Sequence, residues 1–467
     1  MSYDDYVQTK LSRVPPTGIP HGAYMPDHGL FPHQSALVSW ACKRGRAAIF
    51  ADTGLGKSRM QLAWAEAVRL HTGRPVLILA PLAVAPQTVA EGAEIGVSVL
   101  HCRDGSDYDP SEGARICITN YDRLHRFDCS IFGAVVLDES SCIKHHDTKT
   151  LAMLLAAFRQ TPYKLCATAT PAPNDWTELG THAEFLNVCT QAEMLSEYFV
   201  HDGGETQVWR LKGHAREEFW RWVSSWGALV RSPSDLGYDG SAYVLPPLNV
   251  SQHMSETDAE AHEGMLFALE ASTLSDRRAA RKASMEHRVR DCADMVNGDP
   301  QPWVVWCDLN AESEALTKAI PGAIEIRGSH TVEQKEKALA DFAHGRARVI
   351  VSKPSSICGF GLNWQHCARM AFVGVTDSFE AYYQAVRRCW RFGQKRPVDV
   401  HIFASHLEGA IIANLRRKEA DALAMSESLA AQTGAAVRDS VLGSIHQTNE
   451  YNPSRAVRLP AFMRQTA

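Results

Sequence analysis

Eight residues carry the densest chemistry in this chain: Ala51-Asp52-Thr53-Gly54-Leu55-Gly56-Lys57-Ser58. They follow an apolar run, Ala47-Ala48-Ile49-Phe50, and precede a helical pattern from Arg59 to Leu70. Strand, glycine-containing turn, Lys-Ser, helix is the context a phosphate-binding loop needs. Backbone N–H groups of such a loop wrap the phosphates, and the helix N-terminus adds partial positive charge. Lys57 would reach the outer phosphates, and the Ser58 hydroxyl would ligate Mg²⁺. Ala51 stands where the strict pattern has its first glycine.

Asp138-Glu139 ends a second apolar run, Ala134-Val135-Val136-Leu137. Carboxylates at the C-terminal end of a buried strand sit where ligands bind in open α/β sheets. Asp138 would hold Mg²⁺, and Glu139 would orient and activate an attacking water. A solvated acidic turn is the plainer reading of an isolated Asp-Glu; the upstream loop favours the catalytic one. Thr168-Ala169-Thr170-Pro171 follows the next strand pattern. Its hydroxyls either couple the phosphate site to a neighbouring surface or simply cap a turn.

Far downstream lies Gln384-Ala385-Val386-Arg387-Arg388-Cys389-Trp390-Arg391-Phe392-Gly393-Gln394. Arg388 and Arg391, three apart, are expected on one helix face. Such neighbours repel unless an anion lies between them, and the planar guanidinium suits phosphate. Gly359-Phe360-Gly361-Leu362-Asn363 would allow close backbone approach, and Gln34 could read an adenine edge.

Elements must position these groups. Val76–Ala80, Ile116–Thr119, Ala134–Leu137 and Lys164–Ala167 are apolar almost without interruption, the mark of parallel strands covered on both faces. Residues 175 to about 295 are rich in Trp, Arg and Glu at helical spacing, with Phe219, Trp220, Trp222 and Trp226 clustered as expected core. Strand–helix alternation then resumes from Trp303 to Phe403 without a second phosphate loop. Two such units, only one with a loop, suggest a nucleotide clamped between lobes, with arginines supplied across the cleft.

In this order the motifs resemble superfamily 2 helicases, and more closely the Snf2-like ATPase core of the compact phage or bacterial type. The resemblance runs from about residue 30 to 420. It implies two tandem RecA-like, doubly wound α/β lobes with a helical insertion. The expected boundaries are a lead-in at 1–30, lobe one at 31–190, the insertion at 191–295, lobe two at 296–408 and a C-terminal helix with polar tail at 409–467. That family's loop often begins without the first glycine, which accommodates Ala51. The resemblance implies ATP contacts from Gln34, Thr53, Gly54, Leu55, Gly56, Lys57, Ser58 and Gly361, and Mg²⁺ ligation by Ser58 and Asp138. It assigns catalysis to Glu139, Gln384, Arg388 and Arg391. Nucleic-acid contacts are expected from Pro81, Asn120, Tyr121, Lys144, Arg231, Lys353 and Ser355. The box reads Asp138-Glu139-Ser140-Ser141, without the histidine usual in eukaryotic remodellers.

The resemblance implies a DNA-stimulated ATPase that moves along DNA, duplex favoured over single strand. An RNA helicase, a motor subunit of a restriction or anti-restriction system, and a nucleotide-gated binding module without turnover are the alternatives. A nuclease reading of Glu333-Gln334-Lys335 lacks an upstream strand aspartate. Net charge of −5, from 48 basic and 53 acidic residues, excludes a simple basic nucleic-acid coat but not a local basic cleft. Twelve cysteines without a C-x-x-C pair argue against zinc or a disulfide framework and suit a reducing cytoplasm, bacterial or phage-infected. The polar start is unlike a signal peptide, and no apolar run approaches the ~18–20 residues that span a bilayer.

Overall fold

A computed structural model describes residues 17–20, 28–81, 84–143, 148–172, 175–201, 209–255, 284–356, 363–374, 379–405, 417, 434–435 and 437–442. Lys144 and Gly359 to Leu362 lie outside them.

The uninterrupted apolar runs become strands because each must bury both faces. The first sheet contains β1 (Arg46–Ala51), β2 (Val76–Ala80), β3 (Val99–His101), β4 (Ile116–Asn120), β5 (Ala134–Asp138) and β6 (Tyr163–Thr168). A short antiparallel hairpin follows, β7 (Phe199–His201) with β8 (Trp209–Leu211). The strand β9 (Gly227–Val230) then joins the first sheet, giving seven parallel strands in the order β3-β4-β2-β5-β6-β1-β9. Alternation within β1 shows the double cover: Ala47, Ile49 and Ala51 enter one core cluster, Ala48 and Phe50 the other.

The second sheet contains β10 (Leu248–Ser255), β11 (Trp303–Cys307), β12 (Ile324–Ile326), β13 (Val349–Ser352), β14 (Arg369–Val373) and β15 (Val398–Ser405). Its six strands run parallel in the order β10-β15-β14-β11-β13-β12, again between two apolar clusters. The expectation of two doubly wound lobes holds.

The described residues of 191–295 include strands as well as helices. This region supplies β9 to one sheet and β10 to the other, and so belongs partly to each lobe. Its tryptophans are core: Trp220, Trp222 and Trp226 are buried around Phe219.

Two chain segments read as peripheral also enter the first core. Ile19 is buried there, with Thr17, Gly18 and Ile19 donating backbone hydrogen bonds to the carbonyls of Arg44, Lys43 and Cys42. Val437 and Val441, four apart on the helical stretch 437–442, pack into the same cluster. Ser440 Oγ accepts from Trp40 Nε1 at 3.0 Å and from Arg44 at 3.3 Å. The expected polar tail therefore contains a docked segment.

Among the described residues no helix is long and apolar enough to cross a membrane.

Candidate nucleotide site between two lobes

The C-terminal ends of three adjacent strands, β5, β6 and β1, carry the box, the Thr168–Pro171 turn and the glycine loop. Ala51 is the last residue of β1, fully buried in the sheet, which explains why the position needs no glycine. The turn itself does need them. Gly54 (φ +95°) and Gly56 (φ +82°) occupy the left-handed region. A Cβ on Gly54 would lie 2.8 Å from Cβ of Phe392, and one on Gly56 would strike the Gln34 amide. Gly56 then caps the helix Lys57–Thr72, whose first residues are Lys57 and Ser58.

Lys57 Nζ donates to the carbonyls of Ala51 (2.8 Å) and Asp52 (3.3 Å). Burial lowers its pKa, and the nearby Arg391 adds to this. The carboxylates of Glu139, Asp52 and Asp138 oppose it. Asp138 shows the reverse: burial, with Glu139 adding, pushes its carboxyl up to about 6 against the pull of Gln61 and Lys57. Gln61, one helical turn beyond Lys57, donates to Asp138 Oδ1 at 2.7 Å. Glu139 adopts φ +53°, uncommon for a residue with a side chain. Its Oε1 accepts from Thr168 Oγ1 (2.6 Å) and Ser141 Oγ (3.1 Å). Thr168 Oγ1 in turn accepts from the Thr170 amide at 3.1 Å. The threonine turn thus holds the glutamate and is more than a cap.

Tyr121 and Asn120 do not behave as exposed strand-end contacts. Tyr121 donates its hydroxyl to the Asp138 carbonyl at 2.8 Å, and burial raises its pKa well above the ordinary value. Asn120 is buried at the end of β4. Tyr121 thus supports the box from behind. Behind it also lies His182, buried, with Nε2 3.1 Å from Ser140 Oγ and its ring edge-on to Phe50. Burial drops its pKa to about 4, so it stays neutral.

Gln34 is buried beside the loop. Its Oε1 accepts from the Phe31 amide (3.0 Å), and its Nε2 donates to the Leu55 carbonyl (2.9 Å). An aromatic series runs from it to the second lobe: Phe31 on His33, His33 on Tyr243, Tyr243 on Phe392 at 4.6 Å.

The second lobe presents its arginines from a turn, not a helix face as expected. The helix Phe379–Val386 ends one residue before Arg387, and residues 387–393 form consecutive turns. Gln394, buried, staples them: its Nε2 donates to the carbonyls of Cys367 (2.9 Å) and Cys389 (3.3 Å), and its Oε1 accepts from the Lys395 and Arg396 amides. Burial and the adjacent Arg388 lower the Arg391 pKa to about 10; Glu91, on the first lobe, opposes them. Arg391 therefore lies within electrostatic reach of Lys57 and Glu91, both on the first lobe. Gln384 is half-buried on the helix.

Arg387 makes a direct contact between lobes. Its Nη2 donates to Asp52 Oδ2 at 2.7 Å, and Tyr383 donates to Asp52 Oδ1 at 2.9 Å. The guanidinium lies over the rings of Tyr383 and Trp390.

Of the remaining expected residues, Arg231 is exposed beyond β9, and Pro81 and Lys353 are half-buried at the ends of β2 and β13. Ser355 lies in the short turn Pro354–Ser356. Lys144 and Gly361 are outside the described residues. Sequence reasoning missed Asp52, Gln61, His182, Tyr383 and Arg387 as site residues. Gln61 had a signal, four residues after Lys57 on one helix face; His182 had none.

A nucleotide and Mg²⁺ fit this donor set. Lys57 and the half-buried Asp138, its carboxyl pushed up to about 6, share one small volume with Glu139, and a divalent cation would favour ionised Asp138. No group of three or more metal-ligating side chains occurs among the described residues.

Residues 33–199 match the SNF2-related domain family, and residues 295–393 match the helicase conserved C-terminal domain. No match is found among curated proteins. Among solved structures, the chain is similar to a Sulfolobus solfataricus SWI2/SNF2 ATPase core in complex with dsDNA. Identity is 17%, coverage is 83% of this chain and 90% of that one, and the TM-score is 0.42.

Proposed function

For a chain that is a Snf2-like member of helicase superfamily 2, we propose ATP-driven translocation along double-stranded DNA. The observation that carries this is the seating of the Arg387–Gln394 turn against the Asp52–Ser58 loop, which brings both halves of a hydrolytic site together.

ATP binds with its phosphates on the Gly54–Ser58 amides and Lys57, and its base near Gln34. Ser58 and Asp138 would hold Mg²⁺, which would supply charge neutralisation on the phosphates. Glu139, fixed by Thr168 and Ser141, accepts a hydrogen bond from the attacking water and takes its proton. Arg388 and Arg391 stabilise the charge that develops on the transferred phosphoryl group. Gln384 lines the same cleft. Cycles of lobe closure and opening move the protein along its track. Arg231, Lys353 and Pro81 are assigned to that track, and the resemblance adds Lys144 and Ser355 to it and Gly361 to the nucleotide contacts. Grip on phosphates makes the activity salt-sensitive.

The same reading divides the chain at 30, 190, 295 and 408, with β9 and β10 assigned to the sheets they join. It places the protein in a bacterial cytoplasm, in a cell or a phage-infected host. Translocation on duplex is chosen over unwinding because Snf2-like proteins characteristically track without separating strands.

The test is ATP hydrolysis with single-stranded DNA, duplex, forked DNA and RNA, beside strand-displacement and triplex-displacement assays, with Lys57→Ala as control. Triplex displacement without unwinding, lost in Lys57→Ala, is expected. Stimulation by RNA alone selects an RNA helicase. Turnover absent under every condition selects a nucleotide-gated binding module.

A further inference from the structure

The structure assigns Asp52, Arg387 and Tyr383 to a docking clamp that sets the arginine turn of the second lobe in register with the phosphate loop. The inference rests on the ATPase reading and adds three positioning residues to it.

Asp52 touches both halves of the site. Through its backbone carbonyl it accepts from Lys57 Nζ; through its carboxylate it accepts from Arg387 and Tyr383, 335 and 331 residues away. Its Oδ1 also accepts from the Thr53 amide at 2.6 Å. The pair is largely removed from solvent, with side-chain exposures of 11% for Arg387 and 24% for Asp52. Arg387 is also held from its own lobe, its guanidinium 5.0 Å from the Tyr383 ring centroid and 4.7 Å from that of Trp390. A guanidinium so fixed loses little rotamer freedom on docking. Burial works against its charge, yet Asp52 and Tyr383 more than compensate and raise its pKa.

The clamp lies one residue from Arg388 and four from Arg391, in a turn whose far end is stapled by Gln394. Phe392 closes over Gly54 alongside it. A shift of the turn by a residue's width would carry both arginines off the phosphates. The clamp works without touching substrate: it fixes where the two arginines arrive.

The experiment measures kcat and KM for ATP in the full chain, with Asp52→Asn, Arg387→Gln, the double variant and Tyr383→Phe, and X-ray scattering of each without nucleotide. Each charge-removing single variant is expected to lower kcat by roughly 10- to 100-fold with KM within a few-fold. The double variant is expected to be no slower than the slower single one, because one contact is lost in all three. Tyr383→Phe removes only a hydroxyl, leaves the helix intact and falls between wild type and Arg387→Gln. Wild-type kcat in the single variants, additive losses, or a raised KM at unchanged kcat overturns the clamp. If the wild type itself hydrolyses no ATP, the ATPase reading fails and scattering decides. A larger radius of gyration in Asp52→Asn and Arg387→Gln then supports the clamp, and an unchanged one overturns it.

Discussion

The two lobes solve one positioning problem in different ways. In the first, each reactive side chain is held by neighbours on the same sheet end: Lys57 by the Ala51 and Asp52 carbonyls, Asp138 by Gln61, Glu139 by Thr168 and Ser141. In the second, Arg388 and Arg391 stand on a turn whose contacts with the first lobe come through Arg387, Tyr383 and Phe392. The first half-site is complete as soon as its lobe folds. The second exists only when the lobes meet. On the proposed ATPase reading, that asymmetry lets nucleotide capture and nucleotide cleavage answer to different parts of the molecule.

Arg391→Ala gives the sharpest test. Turnover at saturating ATP should fall about 10³-fold or more with ATP affinity little changed, measured by steady-state kinetics beside equilibrium nucleotide binding. Equal loss of affinity would erase the distinction between lobes. Glu139→Gln should cost about 10²–10⁴ in turnover while retaining ATP, since it removes only the proton acceptor. Thr168→Val deprives Glu139 of its shorter hydrogen bond; a loss of about 1–2 kcal/mol corresponds to roughly tenfold in kcat. If Thr168→Val is silent, the first lobe is less prearranged than its hydrogen bonds indicate.

Protonation offers a smaller effect with a defined sign. The Asp138 pKa is raised to about 6 by burial, above that of an aspartate in the unfolded chain. The protonated form is therefore favoured by folding, and that contribution is lost as pH rises through 6. Asp138→Asn should melt higher than wild type at pH 7–8, with the gain vanishing towards pH 4, as followed by calorimetry. A pH-independent gap in melting temperature would refute the burial argument.

The sequence made the lobes legible because parallel strands covered on both faces must be apolar throughout, as Val76–Ala80 and Ala134–Leu137 are. It made the loop legible because phosphate binding needs glycine and Lys-Ser at close spacing. Other features leave no such local trace. Asp52 and Arg387 are ordinary charges until folding brings them to 2.7 Å. The strand β9 was hidden because Gly227-Ala228-Leu229-Val230 follows a tryptophan-rich helix with no turn cluster between. Arg388 and Arg391 read as helical because three-residue spacing suits a helix, yet a succession of turns sets them as well. Val437 and Val441 were overlooked because two apolar residues in a polar stretch are a weak signal.

Those two valines have a consequence for synthesis. Trp40 and Ser440 meet across 400 residues. At roughly 5–20 residues per second, the ribosome needs on the order of 20–80 s to deliver the second after the first. Throughout that interval the earliest lobe lacks the segment that completes its core, and its surface around Trp40 stays uncovered. The helical stretch 437–442 is a late seal, and newly made chains should resist protease at the first lobe only once residue 441 has emerged.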